Sequence, residues 1–341
     1  MKKHQTWKIV KMLKGEREPE QEPKREKKKE RERGRERSRT ARNLQASIFA
    51  FDEGYGTAYE RFAFNKFASR MVRKYNISTV LEIPADGIMG IPGIKSMIFA
   101  CVGCEVTVAH PSKELLKMSR EIWNALGLDA NFVRAYWKDA GFRENSFDLV
   151  WNFCVIEHID AEEVVREMLC ISKNLIFMEI QNVFNIGFPI HRLYHYLRKE
   201  PWDHGNPLKM KISYIKRILN ELNADIVEVG ATDMPPWPDI NMKIGESGEK
   251  NEKDCGNIGN EIRPNVKLKC LEEILYELEA LQHTKQPFKE RLALLMFDIW
   301  HKFVESKMPT PLKIFFAHHP YVIARKRGGV INEGKSGKSG V

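Results

Sequence analysis

The sequence predicts an α/β protein whose parallel sheet is covered on both faces by helices, and three observations predict it. Short β-type runs alternate with amphipathic helical runs at the spacing that right-handed βαβ units require. The first β-type run ends in an acid followed by a small-residue turn, at the edge where doubly wound sheets bind ligands. Finally, 341 residues that are 43% hydrophobic supply enough apolar surface for such a core.

In chain order, Tyr59–Tyr75 reads as the first ordered helix, because Phe62, Phe67, Met71 and Val72 fall near one face. Strands are expected at Thr79–Ile83, Glu105–Ala109, Asn131–Ala135, Phe147–Asn152, Leu175–Glu179 and Asp225–Val229. Helices are expected between them at about Ile94–Val102, Ser112–Leu126, Ala161–Ile171 and Ile212–Leu222. After the sixth strand the rhythm breaks. Gly245–Asn265 is rich in Gly, Asn, Glu and Lys and reads as a loop; the helices Leu271–Gln282 and Phe288–Val304 follow. Pro309 and Pro311 then interrupt the chain before a last strand, Tyr321–Arg325.

The formal charge of +9 suggests nucleic acid until it is localised. Residues 1–43 hold 17 Lys and Arg against 8 Asp and Glu, so the whole excess lies in this tail. The rest is balanced and gives no electrostatic reason for tight phosphate binding, which leaves the tail as the only nucleic-acid candidate. Its composition predicts disorder. No apolar run is long enough to cross a bilayer and no secretory signal precedes the core, so a cytoplasmic protein with no membrane partner is expected. The six cysteines show no regular framework, in keeping with a reducing compartment. Cys101 and Cys104 form a C-x-x-C, but it precedes a strand rather than opening a helix and lacks a second pair at zinc spacing, so it reads as core.

Three strand ends carry the ligand argument. Val80-Leu81-Glu82-Ile83-Pro84-Ala85-Asp86-Gly87 closes the first strand, where backbone N–H groups can approach a nucleoside and the carboxylate can meet its polar groups. His110 ends the second strand, where a ribose-binding acid belongs. Asp148-Leu149-Val150-Trp151-Asn152, running on to Glu157-His158-Ile159, ends the fourth and opens the next helix.

Here the chain resembles the class I S-adenosylmethionine-dependent methyltransferases, over roughly residues 50–230 plus the last strand. Phe147 through Ile159 is similar to the family's fourth-strand signature and is the most specific match. His204, before a helix ending in Asn223-Ala224-Asp225, resembles the approach to the fifth helix, and Tyr59–Ala63 resembles a segment that some members fold over the cofactor. His319–Lys326 resembles the last strand, which in the family inserts antiparallel between the fifth and sixth. The resemblance implies a Rossmann-like methyltransferase fold with seven strands, mostly parallel with an antiparallel last strand. It also implies S-adenosylmethionine as cofactor, held by Glu82, Pro84, Ala85, Asp86, Gly87, His110, Tyr136, Trp137 and Asn152. Three positions depart from the family pattern: Pro84 for the first glycine, His110 for the ribose acid and Tyr136 for the acid near the adenine amine. A carboxylate accepts two ribose hydroxyl bonds and a neutral imidazole one.

Methyl transfer from a sulfonium needs in-line positioning and partial desolvation more than acid–base chemistry. Glu157 and His158, at the edge beside the sulfonium, are the candidates for catalytic contact or proton removal; the structural alternative is that Glu157 caps the next helix. Asn182 and Asn185 follow the fifth strand and are placed to touch a polar substrate, or to form turns. His191 and His195 are four apart on an expected helix, and His204 follows in Pro201-Trp202-Asp203-His204-Gly205. Their aromatic neighbours favour the wall of a substrate pocket over a metal site, so no metal is expected. Pro235-Pro236-Trp237 resembles part of the tetrad of adenine-amino methyltransferases, but Met234 replaces its acid and it reads as a rigid turn.

The domain plan is therefore a charged tail (1–43), a core (44–230), an inserted loop and helical cap (231–318), the last core strand (319–327) and a flexible C-terminus (328–341). The insertion spans about ninety residues, far beyond a hairpin loop. It is read as a lid for substrate recognition or as a helical pair for homodimerisation. Two functions stay open: a methyltransferase acting on a small or medium polar substrate, and a non-catalytic partner or RNA-associated protein of the same fold.

Overall fold

The computed structural model describes residues 55–85, 91–199, 201–202, 204–235 and 288–327. The expectations for residues 1–43, for Asp86 and Gly87, for Pro236 and Trp237, for the loop Gly245–Asn265 and for the helix Leu271–Gln282 lie outside the described residues. So does the C-terminus after residue 327.

Helix α1 (Tyr55–Tyr75) leads into strand β1 (Thr79–Glu82), and the short α2 (Met97–Cys101) joins this to β2 (Glu105–His110). Helix α3 (Lys113–Ala125), β3 (Asn131–Arg134), β4 (Phe147–Phe153), α4 (Ala161–Ile171) and β5 (Ser172–Glu179) follow. Next come α5 (Gly187–Arg198), α6 (Ile212–Glu221) and β6 (Ala224–Thr232). Helix α7 (Phe288–Phe303), a 3-10 turn at Glu305–Lys307 and α8 (Thr310–Phe316) precede β7 (His319–Lys326). The sheet has seven strands in the order β3-β2-β1-β4-β5-β7-β6. All pairs are parallel except those of β7, which runs antiparallel to both β5 and β6.

The two-residue period of the central strands sorts their side chains between two cores. Val80, Leu149, Trp151, Leu175, Phe177, Tyr321 and Ile323 face α1, α2 and α3. Leu81, Val150, Ile176, Met178, Val322 and Ala324 face α4 and α6. Because both faces are buried, these strands read as nearly continuous apolar runs. An aromatic ladder crosses the first core: Trp151 to Phe177 at 5.8 Å, then Phe177 to Tyr321 at 5.8 Å, with Phe64 stacked on Trp151 at 5.1 Å. Helix α1 buries Ala58, Tyr59, Phe62, Ala63, Phe67 and Met71, so its apolar face is wider than one stripe. It ends at Asn76, whose φ of 51° is a left-handed stop. Helices α3 and α4 start at side-chain caps, Ser112 Oγ accepting from Leu115 N at 3.2 Å and Asp160 Oδ1 accepting from Glu162 N at 3.1 Å.

The departures from the sequence reading have local causes. Helix α2 is shorter than expected because Pro92 and Gly93, the latter at φ 80°, keep the chain in turns up to Ser96. A Cβ at Gly93 would also lie 2.8 Å from Val108 Cγ2, so this turn must press against β2. The proline pair taken as an interruption instead starts a helix: Pro311 lies in the first turn of α8, where its missing N–H has no partner to lose. Strand β6 runs to Thr232, two residues into the segment assigned to the insertion. The described part of that insertion docks on the core. Phe297 of α7 packs edge-on against Tyr59 at 5.3 Å, and Lys66 pairs with Asp298 at 2.8 Å.

Candidate functional site

The parallel strands deliver their carboxyl ends side by side. Glu82 pairs in register with Val108 and with Trp151, so Glu82, His110 and Asn152 lie along one edge. Glu82 is fully buried; its Oε2 accepts from Ser96 Oγ at 2.5 Å, and that hydroxyl accepts from Trp151 Nε1 at 3.0 Å. Pro84 and Ala85 are buried in the turn that follows, and Ala85 N donates to Ala109 O at 3.0 Å.

His110 is 2% exposed, and burial lowers its pKa to about 4, so the ring is neutral at pH 7. Its Nδ1 accepts from the backbone N–H of Ser112 at 3.0 Å. A backbone N–H can only donate, so the ring proton of the neutral imidazole sits on Nε2. The one bond His110 can offer outward is therefore a donated one, which corrects the expectation of an acceptor. Beyond β3, Tyr136 is about half exposed, while Trp137 is half-buried and packs on the second core. The buried Trp137 Nε1 has no partner among the described residues. Asn152 is turned beneath the edge, its Nδ2 donating to Met168 Sδ at 3.2 Å and to Ile83 O at 3.4 Å. This side chain braces β4 against α4, a correction to its expected contact with a cofactor.

The turn after β4 carries Glu157, which is 2% exposed. Its Oε1 accepts from Gln181 N at 3.0 Å and its carbonyl accepts from Asn206 N at 3.0 Å, so it ties the β4, β5 and α5–α6 segments together. Asp160, not Glu157, caps the following helix. His158 is half-buried in the same turn, its N donating to Val155 O at 3.0 Å.

Asn182 and Asn185 are committed elsewhere. Asn182 Nδ2 donates to Ile314 O at 2.5 Å and Ala317 O at 2.7 Å, while its Oδ1 accepts from Phe184 N. Asn185 Nδ2 donates to Phe316 O at 2.9 Å and Ala317 O at 3.1 Å, and its Oδ1 accepts from Gly187 N. Both amides satisfy the open carbonyls at the end of α8 and clamp it onto the β5–α5 loop. That anchoring replaces the substrate contact expected of them.

The sequence reading missed a buried polar cluster at the ends of β5, β6 and β7. Lys95 is 1% exposed and lies 2.7 Å from Glu60 Oε1 and 4.0 Å from Glu179 Oε2, its Nζ resting 3.0 Å from the centre of the Phe153 ring. Burial pushes the Glu179 carboxyl up, against the pull of Lys95, and Thr232 Oγ1 donates to it. Asp233 is 1% exposed; burial would raise its carboxyl, but His318 at 2.8 Å and His319 at 3.3 Å draw it down to about 2. Tyr59 donates to Glu305, which also accepts from Asp233 N at 3.1 Å. Glu60, Asp233 and His319 lie close enough to hold an ion, but the Lys95 ammonium already supplies the cation there. The one legible signal was Lys95 itself, a single charge within Ile91–Phe99. Its partners lie far away in sequence.

The structure brings the three expected histidines together. His204 Nε2 lies 3.0 Å from His191 Nε2 and 3.1 Å from His195 Nε2. His195 Nδ1 faces Pro201 O at 3.2 Å, and the Trp202 ring borders all three imidazoles. Both buried C-x-x-C thiols are raised by burial, Cys101 to about 12 and Cys104 to about 11, so neither is a ready thiolate. No helix among the described residues is long and apolar enough to cross a membrane.

Residues 89–174 match a family described as a methyltransferase domain. No curated protein matches the chain significantly. Among solved structures, the chain is similar to a magnesium protoporphyrin IX methyltransferase from Synechocystis PCC 6803 with bound SAH, at 14% identity. That match covers 52% of this chain and 79% of the other, with a TM-score of 0.41. It is also similar to the cyclase SpnF (10% identity, 77% and 80% covered, TM-score 0.41). A geranyl diphosphate methyltransferase in complex with SAM matches at 11% identity, with 77% and 84% covered and a TM-score of 0.40. The segment that matches the methyltransferase-domain family spans β2 through the start of β5, within a Rossmann-like α/β sheet whose antiparallel β7 lies between β5 and β6.

Proposed function

We propose that this chain is an S-adenosylmethionine-dependent methyltransferase, binding its cofactor across the ends of β1 and β2 and methylating a polar atom on a small or medium substrate. The observation that carries the reading is the placement of Glu82 and His110 at the carboxyl ends of the adjacent strands β1 and β2, in a sheet of the order β3-β2-β1-β4-β5-β7-β6. The polar groups fit a nucleoside: a buried carboxylate acceptor at the end of β1 and an imidazole fixed as an Nε2–H donor, suited to a ribose oxygen. The buried Trp137 Nε1 supplies a further donor on the β3 side. When bound, the cofactor supplies a methyl group on a sulfonium, a leaving group needing no protonation.

The chain's own contribution is positioning and exclusion of water. Glu157 is held in place by Gln181 N and sits on the turn where the acceptor would approach, with His158 beside it. Either can contact the acceptor or take its proton. Exposed apolar side chains near this edge, Ile190 and Leu193 on α5 with Leu312 and Phe315 on α8, suit a substrate with an apolar body.

Calorimetric titration with S-adenosylmethionine and S-adenosylhomocysteine tests the reading. Micromolar binding, weakened at least about tenfold in His110→Ala by loss of a donated bond, is the expected result. Absence of binding at millimolar cofactor would sink it. The departures at Pro84, His110 and Tyr136 would then mark a non-catalytic partner protein.

A further inference from the structure

We propose that His191, His195 and His204 form a three-histidine zinc site with its fourth position open to water or an anionic oxygen. The inference is independent of the methyltransferase reading.

Helix α5 places His191 and His195 one turn apart on the same face. The helix stops at Lys199, whose φ of 57° reverses the chain, and the segment from Pro201 brings His204 back over that face. Trp202 fixes the return. Its Nε1 donates to Gly205 O at 2.8 Å, and its ring lies 6.0, 5.5 and 4.9 Å from the rings of His191, His195 and His204. The next two residues lock onto the β4–α4 turn. Asn206 N donates to Glu157 O at 3.0 Å, and a Cβ on Gly205 would come within 3.0 Å of the Glu157 side chain.

The three nitrogens converge closely enough to share one metal ion. His204 Nε2 is within 3.1 Å of both other Nε2 atoms, and all the ligand atoms lie within 4.8 Å of one another. A ring nitrogen either donates its one proton or offers its one lone pair. The trio could therefore share at most one proton at its centre, whereas a divalent cation engages all three lone pairs. Nitrogens bound at about 2.0–2.1 Å to a tetrahedral zinc lie roughly 3.3–3.4 Å apart. The two separations from His204 Nε2 are shorter than this by a few tenths of an ångström, within reach of small ring rotations. His195 Nδ1 faces a backbone carbonyl, the outer bond that directs the lone pair of Nε2 to a metal. Three imidazoles suit zinc and its transition-metal neighbours rather than magnesium or calcium, which take oxygen ligands. Three protein ligands, with His191 exposed, leave room for a fourth from solution.

The test uses the full chain without a polyhistidine tag, stripped with a chelator and titrated with zinc against a chromophoric competitor, and separately with cobalt(II). The expected result is one tight equivalent per chain, weakened at least about 100-fold in His204→Ala and in His191→Ala. His191 is exposed, so the second variant keeps a loss of binding separate from a loss of fold. The cobalt form should show ligand-field bands without a thiolate charge-transfer band, and these should shift when azide is added. Equal zinc affinity in wild type and both variants, or a thiolate band, would overturn the site. A cobalt spectrum indifferent to azide would overturn the open position.

Discussion

His110 turns a structural detail into a measurable pH dependence. In the unfolded chain a histidine titrates near 6.5; buried behind the Ser112 N–H it titrates at about 4. Above pH 6.5 the ring is neutral in both states and contributes nothing to the pH dependence. Below that, the unfolded state takes up a proton that the folded state refuses, so stability falls as pH falls, until the folded ring protonates near 4. Each pKa unit is worth about 1.4 kcal/mol, so the loss over this window is about 3 kcal/mol. The perturbation is His110→Asn, whose side-chain oxygen can still accept from Ser112 N but cannot titrate. Urea unfolding of both proteins at steps from pH 7.5 to 4 gives the two stability profiles. Groups common to both cancel in the difference, and wild type should lose about 3 kcal/mol more than the variant on acidification. Parallel profiles would show that His110 is accessible to protons in the folded state. The tautomer assigned to the candidate cofactor site would fall with that result.

Two further substitutions probe the scaffold. Lys95→Met should destabilise by about 3–5 kcal/mol, because it leaves Glu60 and Glu179 without their buried cation; adding Glu60→Gln should recover part of this, and a cost below about 1 kcal/mol in urea unfolding would contradict the assigned pairing. Gly230→Ala would set a Cβ 2.5 Å from the Tyr321 hydroxyl, which donates to Glu228 at 2.7 Å, while Phe67 packs on the Tyr321 ring at 4.6 Å. The expected loss is about 1–3 kcal/mol, read as a lower melting temperature, and an unchanged midpoint would mean that the ring is free to move.

The sheet was legible in the sequence because its information is local. Apolar runs such as Leu149–Trp151 and Leu175–Met178, alternating with amphipathic helices, specify parallel strands buried on both faces, and caps such as Ser112 and Asp160 mark helix starts within a few residues. The antiparallel seventh strand was legible only through family resemblance, since no local pattern states which neighbours a strand will pair with. The site divides in the same way. Glu82 and His110 could be placed at strand ends because a turn follows each in sequence. The fates of Asn182 and Asn185 could not, because the carbonyls that claim them lie more than a hundred residues away. Lys95, Glu60, Glu179 and Asp233 are scattered along the chain, and only the closing of the sheet makes them one buried charge cluster. The spacing of His191 and His195 was visible as one helical turn. Whether His204 joined them depended on the reversal at Lys199 and the packing of Trp202. Sequence thus determined the elements and their order, through propensity and periodicity. Tertiary structure decided which polar groups meet, because a polar group taken out of water must find a partner wherever the fold supplies one.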